Sequence, residues 1–317
     1  MNKKTKRFLM LTAATIGSMY AYNRFVATTS VSKKMLSDEN GTYYNWKYGN
    51  IFYSKRGTGS PLLLIHDLNP SSSSFEWCKI MKKLEQNHTV YSLDLLGCGR
   101  SDKPLLTYTN YMYVQLITDF VKDVIKAQPD VITTNLSSSF VLMTNQMESN
   151  IFHRIILLNP VSIDEIAPSV DTLSKLKKLV FDTPLLGAFV YNRMHTPVKT
   201  DFLFRYKYFF KSQLISTKFE DIYYESAHMD NSNGKYLFGS IIGKYINIDI
   251  RHALNQLNTP IYIIASRDLT NNINNIESYI RTNTNIETTY LSGCKLLPQL
   301  EIPDKLLIII KSVLSDN

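Results

Sequence analysis

The chain has 317 residues, 44% of them hydrophobic, which is enough for one large α/β domain with an insertion or for two modest domains. The formal net charge is +8, but beyond the N-terminus lysine and arginine are spread thinly, so no nucleic-acid partner is expected. The three cysteines have no metal-binding spacing, so we expect neither a structural metal nor a disulfide scaffold, and no motif indicates a cofactor.

Residues 1–27 combine a basic region with an apolar one. A mostly apolar stretch over residues 8–22 follows four cations, Lys3, Lys4, Lys6 and Arg7. This pattern favours an uncleaved membrane anchor; a removed signal peptide and a buried helix are the alternatives. The cations ahead of the stretch predict a cytoplasmic N-terminus, an extracytoplasmic main domain and membrane lipid as a partner. The polar residues 28–41 are predicted to be a linker.

Apolar runs and amphipathic segments alternate from residue 42 onward. Residues 42–48 and 50–55 indicate an antiparallel opening to a sheet. A continuous apolar run, typical of a strand buried on both faces, follows at residues 61–66, and further strands are predicted at residues 89–94, 130–134, 154–159, 260–265 and 286–291. Helical segments are predicted at residues 74–87, 111–126, 138–148, 272–281 and 302–314. This alternation predicts a doubly wound, mostly parallel sheet.

The alternation stops over residues 161–240, which are rich in Phe, Tyr, Met and Leu and contain no clear strand. We interpret this stretch as a helical cap inserted into a core formed by residues 42–160 and 241–317. Its aromatic segment, residues 202–211, is predicted to pack over the sheet as a lid. Contact with a membrane and stacking on bases are the alternatives.

Two blocks carry a resemblance to a known family. The segment His66-Asp67-Leu68-Asn69-Pro70 ends a predicted buried strand, and Asp94-Leu95-Leu96-Gly97-Cys98-Gly99-Arg100-Ser101 follows the next one. In this order and at this interval the blocks resemble those of the α/β-hydrolase family. The resemblance covers residues 42–314 and implies an α/β-hydrolase fold with its catalytic groups on loops after the strands.

The resemblance implies a nucleophile in a Gly-x-Ser-x-Gly turn after the strand at residues 130–134. The sequence there is Asn135-Leu136-Ser137-Ser138-Ser139. With Ser137 as the nucleophile, Asn135 and Ser139 stand where glycines are usual, and asparagine tolerates unusual backbone angles. In an alternative register Leu136 is at the tip of the turn, and no nucleophile is present.

The resemblance places the acid of a catalytic triad at Asp268 and the base at Leu296, in the loop before the last helix. Leucine has no lone pair and cannot take a proton, so the chain is identified as a degenerate member of the family that lacks the catalytic histidine. His195 and His228, within residues 161–240, are the other candidates for a base. By the same resemblance the oxyanion site or pocket is expected at His66, Asp67 and Ser138, where the Asp67 carboxylate would oppose a developing negative charge.

Two functions remain open on these residues. The first is a membrane-anchored protein without normal Ser-His-Asp hydrolysis, which keeps a pocket for a small apolar ligand and has a binding or interaction role. The second is an active serine hydrolase or esterase that acts on a small acyl substrate through Ser137 and a non-standard base. Leu296 favours the first.

Overall fold

The computed structural model describes residues 2–37 and 41–315, so residues 38–40 of the predicted linker lie outside the described part. An eight-stranded sheet in the order β1-β2-β4-β3-β5-β6-β7-β8 forms its centre. Strand β2 pairs antiparallel with β1 and β4, and the other neighbouring strands are parallel. The strands are β1 Gly41–Trp46, β2 Gly49–Arg56, β3 Ser60–Ile65, β4 His88–Leu93, β5 Asp130–Thr134, β6 Ile155–Leu158, β7 Ile261–Ser266 and β8 Glu287–Leu291.

The central strands form within a residue of the predicted segments, and most of their side chains are apolar or β-branched, as a strand covered on both faces favours. All residues of β5 and β6 are buried. One apolar cluster covers each face of the sheet, one around Phe140 and the other around Trp77. The predicted doubly wound, mostly parallel sheet is confirmed.

The helices vary in length and position. Short 3-10 or π turns at Ser74–Trp77, Val121–Ile125, Phe204–Tyr208 and Ser212–Leu214 adjoin some of them. The α-helices of the described residues are α1 Lys3–Thr29, α2 Cys78–Leu84, α3 Asn110–Phe120, α4 Ser137–Met147, α5 Ile163–Ile166, α6 Thr172–Asp182, α7 Pro184–Met194, α8 Pro197–Leu203, α9 Thr217–Ser232, α10 Gly234–Ile242, α11 Arg251–Gln256, α12 Asn272–Thr282, α13 Pro298–Glu301 and α14 Pro303–Ser315.

Helices α5 to α10 lie between β6 and β7, within and just beyond the predicted cap of residues 161–240. Glu301 connects this insertion to the core: its carboxylate accepts the backbone N–H groups of Phe210 (2.8 Å), Lys211 (2.7 Å) and Lys295 (3.0 Å). Hydrogen bonds to a charged acceptor are stronger than neutral ones. The insertion is therefore held against the loop that carries Leu296.

The N-terminal helix α1 divides into two parts. Its second half packs on the cap, where the Tyr22 and Phe189 rings lie 5.4 Å apart and Asn23 Nδ2 donates to Leu185 O at 3.0 Å. Residues 2–18 are exposed on every side. Among residues 2–37 and 41–315 no helix combines the length and the apolar character needed to cross a membrane, so the transmembrane helix expected within residues 1–27 is not found.

Candidate functional site

The turn after β5 differs from both sequence-based registers. Asn135, directly after the last strand residue, has a φ of +44° and is the tip of the turn, and α4 begins two residues later at Ser137. A positive φ is sterically costly for most side chains, but asparagine adopts it more readily than leucine or serine. The five-residue spacing of the family turn therefore falls on residues 133–137, with Asn135 at the nucleophile position.

Ser137 and Ser138 lie inside the protein in the first turn of α4. Both residues are fully buried, and the Ser137 hydroxyl donates to His66 O at 2.6 Å. Within the described residues the Ser138 hydroxyl has no hydrogen-bond partner. Ser137 occupies the position of the second small residue of the turn, where its hydroxyl connects α4 to the end of β3.

The Asp67 carboxylate lies against the turn after β5. It accepts the backbone N–H of Leu136 and the side-chain Nδ2 of Asn135, both at 3.2 Å. In this fold the N–H of the residue after the nucleophile is one of the two donors that stabilise an oxyanion. Here that donor already has an internal acceptor. Burial raises the pKa of Asp67, while the nearby charge of Lys207 and the two hydrogen bonds act in the opposite direction.

Glu76 forms a second buried carboxyl group beside Asp67. It is 0% exposed, accepts the hydroxyl of Tyr223 at 2.9 Å and lies 3.4 Å from the backbone N of Asp67. Burial first, and then the charge of Asp67, raise the pKa of Glu76 to about 8. A charged residue between Phe75 and Trp77 is the sequence signal that could have identified it. Asp67 and Glu76 therefore form a pair of buried carboxyl groups, and burial favours a protonated form of the pair at neutral pH.

His66 has a structural role. Its Nε2 accepts the backbone N–H of Leu95 at 2.9 Å, so we assign the ring proton to Nδ1, which lies 2.7 Å from Asp67 O. Burial lowers the pKa of His66. With both nitrogens paired, the ring is held neutral between β3 and the loop after β4 and is not available as a base for Ser137.

Asp268 lies half-buried in the loop after β7, and its carboxylate accepts the backbone N–H of Gly293 at 2.7 Å. This bond joins the loops that follow β7 and β8. Asp268 therefore stands after the expected strand, where it supports the loop that leads to Leu296.

Leu296 is 3% exposed and packs in an apolar cluster with Phe204, Tyr208 and Tyr223 of the cap. A neighbouring cavity lined by Tyr208, Tyr223 and His195 has a volume of only about 10 Å³, the space of a single water molecule at most. Apolar side chains of the core and cap thus fill the place that the family resemblance assigns to a histidine.

Asn159, which the sequence reasoning missed, fixes the backbone of this loop. It follows β6 with a φ of +44° and is 1% exposed. Its Nδ2 donates to Lys295 O (3.0 Å) and Leu296 O (3.2 Å), and its Oδ1 accepts the N–H of Ser266 (2.7 Å). A buried amide with all its groups paired is a rigid connection. An asparagine directly after a buried strand was its signal, as it was for Asn135.

Of the two cap histidines considered as alternative bases, His228 is buried and His195 is half-buried. Nδ1 of His195 and of His228 pairs with the carbonyl oxygen four residues earlier, Tyr191 O (3.0 Å) and Tyr224 O (2.7 Å) respectively. Burial lowers the pKa of each ring to about 4. Neither ring accepts the hydroxyl of Ser137, which donates to the backbone oxygen of His66. Across residues 2–37 and 41–315, no three His, Cys, Asp or Glu side chains come close enough to bind a metal.

The family model of the alpha/beta hydrolase fold matches residues 60–291, well over half of the chain. The chain therefore belongs to the α/β-hydrolase family.

Matches to curated relatives are shorter. A 2-hydroxy-6-oxo-6-(2'-aminophenyl)hexa-2,4-dienoic acid hydrolase of Metapseudomonas resinovorans is 22% identical over 113 residues, which are 35% of this chain and 39% of the relative. An uncharacterized protein of Mycobacterium tuberculosis is 38% identical over 65 residues, 20% of this chain and 18% of that protein. The chain thus matches less than half the length of either relative.

Solved structures match over nearly the whole chain. A serine hydrolase involved in carbazole degradation has a TM-score of 0.69 at 16% identity and covers 87% of this chain and 99% of its own. A membrane phospholipase A, a bacterial virulence factor, has a TM-score of 0.68 at 15% identity and covers 99% and 98% respectively. At such identities the likeness shows the fold alone, and the predicted α/β-hydrolase fold is confirmed.

Proposed function

We propose that this chain is a non-hydrolytic α/β-hydrolase, a pseudoenzyme with a binding or interaction role. The observation that carries the proposal is Asn135 at the tip of the turn after β5. A carboxamide has no ionisable proton and cannot form an acyl-enzyme intermediate. Leu296 at the position of the base and Asp67 on the N–H of Leu136 support the same conclusion.

Reaction with a serine-directed fluorophosphonate tests this proposal. We expect no labelling of the wild type or of Leu296→His, because neither chain has a hydroxyl at position 135. Asn135→Ser combined with Leu296→His should gain labelling, since it supplies a hydroxyl at the tip and a base beside it. Leu296→His is the matched control, because it retains Ser137 and adds only the imidazole.

The alternative function is an active serine hydrolase that uses Ser137, as the hydrolases among the similar proteins suggest. Labelling of the wild type that disappears in Ser137→Ala would establish that alternative and refute the non-hydrolytic proposal. Labelling of Leu296→His that disappears when Ser137→Ala is added would likewise assign the reactive hydroxyl to Ser137.

We also propose that α1 attaches the protein to membrane lipid. Its exposed first half carries four cations followed by exposed apolar side chains, among them Phe8 (69% exposed) and Leu11 (69%). Such a segment gains from anionic head groups and from apolar burial at the interface. Flotation with phosphatidylglycerol vesicles tests attachment; equal flotation after replacement of all four cations by glutamine would contradict the electrostatic part.

A further inference from the structure

A pair of buried serines lies on the face of the sheet that α2 covers. Ser54 on β2 and Ser92 on β4 are direct cross-strand partners, so their side chains leave the same face. Ser54 is 4% exposed and Ser92 is 0% exposed. A sheet face beneath a helix is normally filled by apolar side chains, as it is at the neighbouring Val90. The two serines therefore leave space between strands and helix.

That space is a cavity of about 330 Å³ that both serines line. The α2 side is formed by Met81 and Lys82, and a strap at residues 35–37 closes another side. The strap is held by Glu225, whose carboxylate accepts the backbone N–H groups of Met35 (2.8 Å) and Leu36 (3.1 Å). A volume near 300 Å³ is at the lower end of small-molecule sites. None of Asp67, Asn135 and Leu296 lines this cavity, so it is separate from the hydrolase site.

The hydroxyl of Ser92 indicates that a ligand of the cavity has a polar group. It is buried and, within the described residues, is without a hydrogen-bond partner. A buried polar atom without a partner is costly and calls for an explanation, of which a bound ligand, ion or water is one. Ser92 lines the cavity, so the wall of the cavity contains a buried hydroxyl that lacks an acceptor among the described residues.

Charge and apolar lining define the class of ligand. Lys82 and Lys218 line the cavity, and Glu85 is the carboxylate among its described lining residues, while Arg100 is paired with Asp94 at 2.7 Å. Apolar side chains supply the rest of the wall, among them Leu36, Phe75 and Met81. We propose that this cavity binds a small anionic amphiphile, a carboxylate on a short acyl chain, with the Ser92 hydroxyl and the lining cations on its head group. This proposal does not depend on whether the hydrolase site is active.

Cys78 provides a direct readout. It lines the cavity and is exposed, whereas Cys98 and Cys294 are buried, so a maleimide should modify Cys78 selectively. In the full chain, octanoate should slow the alkylation of Cys78, while octanol, which lacks the charge, and acetate, which lacks the chain, should not. Peptide mass spectrometry identifies the modified cysteine.

Two variants test the residues that carry the proposal. Ser92→Val removes the hydroxyl, and we expect the octanoate concentration for half-protection to rise about tenfold, as for loss of one hydrogen bond to a charged group. Lys82→Gln should weaken protection, whereas Lys83→Gln, one residue along α2 and outside the cavity, should not. The melting temperature verifies that each variant is folded.

Three results would overturn the proposal: no protection by octanoate at millimolar concentration, equal protection by octanol, or protection of folded Ser92→Val and folded Lys82→Gln at wild-type concentrations. Because the readout is alkylation of Cys78 and not hydrolysis, it is unaffected by the outcome of fluorophosphonate labelling.

Discussion

Replacing Glu76 by glutamine should remove the pH dependence that this buried carboxyl group gives to stability. The rise of its pKa from 4.5 to about 8 corresponds to about 5 kcal/mol. Between these two values the unfolded chain has lost the proton while the folded chain keeps it. Folding therefore takes up a proton, so the stabilisation is fully present below pH 4.5 and is lost as the pH rises through 8.

We expect Glu76→Gln to be less stable than the wild type by about 1 kcal/mol at pH 5, because the amide satisfies its neighbours less well. At pH 8.5 it should be more stable by about 3 kcal/mol, since the wild type must then bury a charge or take up a proton. Urea unfolding followed by the fluorescence of Trp77, which is buried next to Glu76, measures both differences.

Glu287→Gln, an exposed carboxyl group on β8, is the matched control and should shift stability by no more than a few tenths of a kcal/mol at either pH. Parallel curves of stability against pH for the wild type and Glu76→Gln would refute this reasoning. Such a result would mean that Glu76 is solvated or fully paired as an anion in the folded chain. The difference includes the interaction with Asp67, because the charge of Asp67 also raises the pKa of Glu76.

Three further substitutions have defined outcomes. Leu296→Ala should cost about 2–5 kcal/mol through the cavity it leaves, measured by urea unfolding; a loss below 1 kcal/mol would contradict its packing against the cap. Asn135→Gly should be more stable than Asn135→Ala by about 1 kcal/mol, because only alanine is strained at positive φ; equal unfolding midpoints would contradict the turn geometry. Glu225→Ala should cost about 1.5–3 kcal/mol per charge-assisted bond and accelerate tryptic cleavage at Lys33 and Lys34, whereas unchanged cleavage would contradict the role of Glu225 in holding the strap.

The sequence predicts the sheet well because its strand segments are short, are rich in β-branched and aliphatic residues and alternate with helical segments. The prediction for β5, residues 130–134, matches the strand, and the other central strands differ by a residue at either end. Helix ends are less accurate, since they depend on local hydrogen bonds that hydrophobic spacing does not record. The segment at residues 74–87 begins as a 3-10 turn and its α-helix ends at Leu84.

The turn after β5 shows why the position of a nucleophile is poorly predicted from residue types alone. A search for a nucleophile selects a serine, and Ser137 is the first serine after the strand. Backbone geometry instead selects the residue that tolerates a positive φ directly after the strand, and that residue is Asn135. The contacts of Asp67 with Asn135 and Leu136 join residues nearly seventy positions apart, and no local pattern encodes them.

The hydrogen-bond donors of the turn after β5 are paired with an acceptor from the same chain. Without an outside ligand, the N–H of Leu136 and the amide of Asn135 need an acceptor, because unpaired polar groups at a covered site are costly. Asp67 supplies that acceptor from within the chain. The consequence is a buried carboxylate beside Glu76, and their mutual repulsion helps to raise the pKa of Glu76. An acyl substrate would have to displace this internal anion before its carbonyl oxygen could reach Leu136 N. A serine and a histidine restored to positions 135 and 296 should therefore react more slowly than the same pair combined with Asp67→Gly.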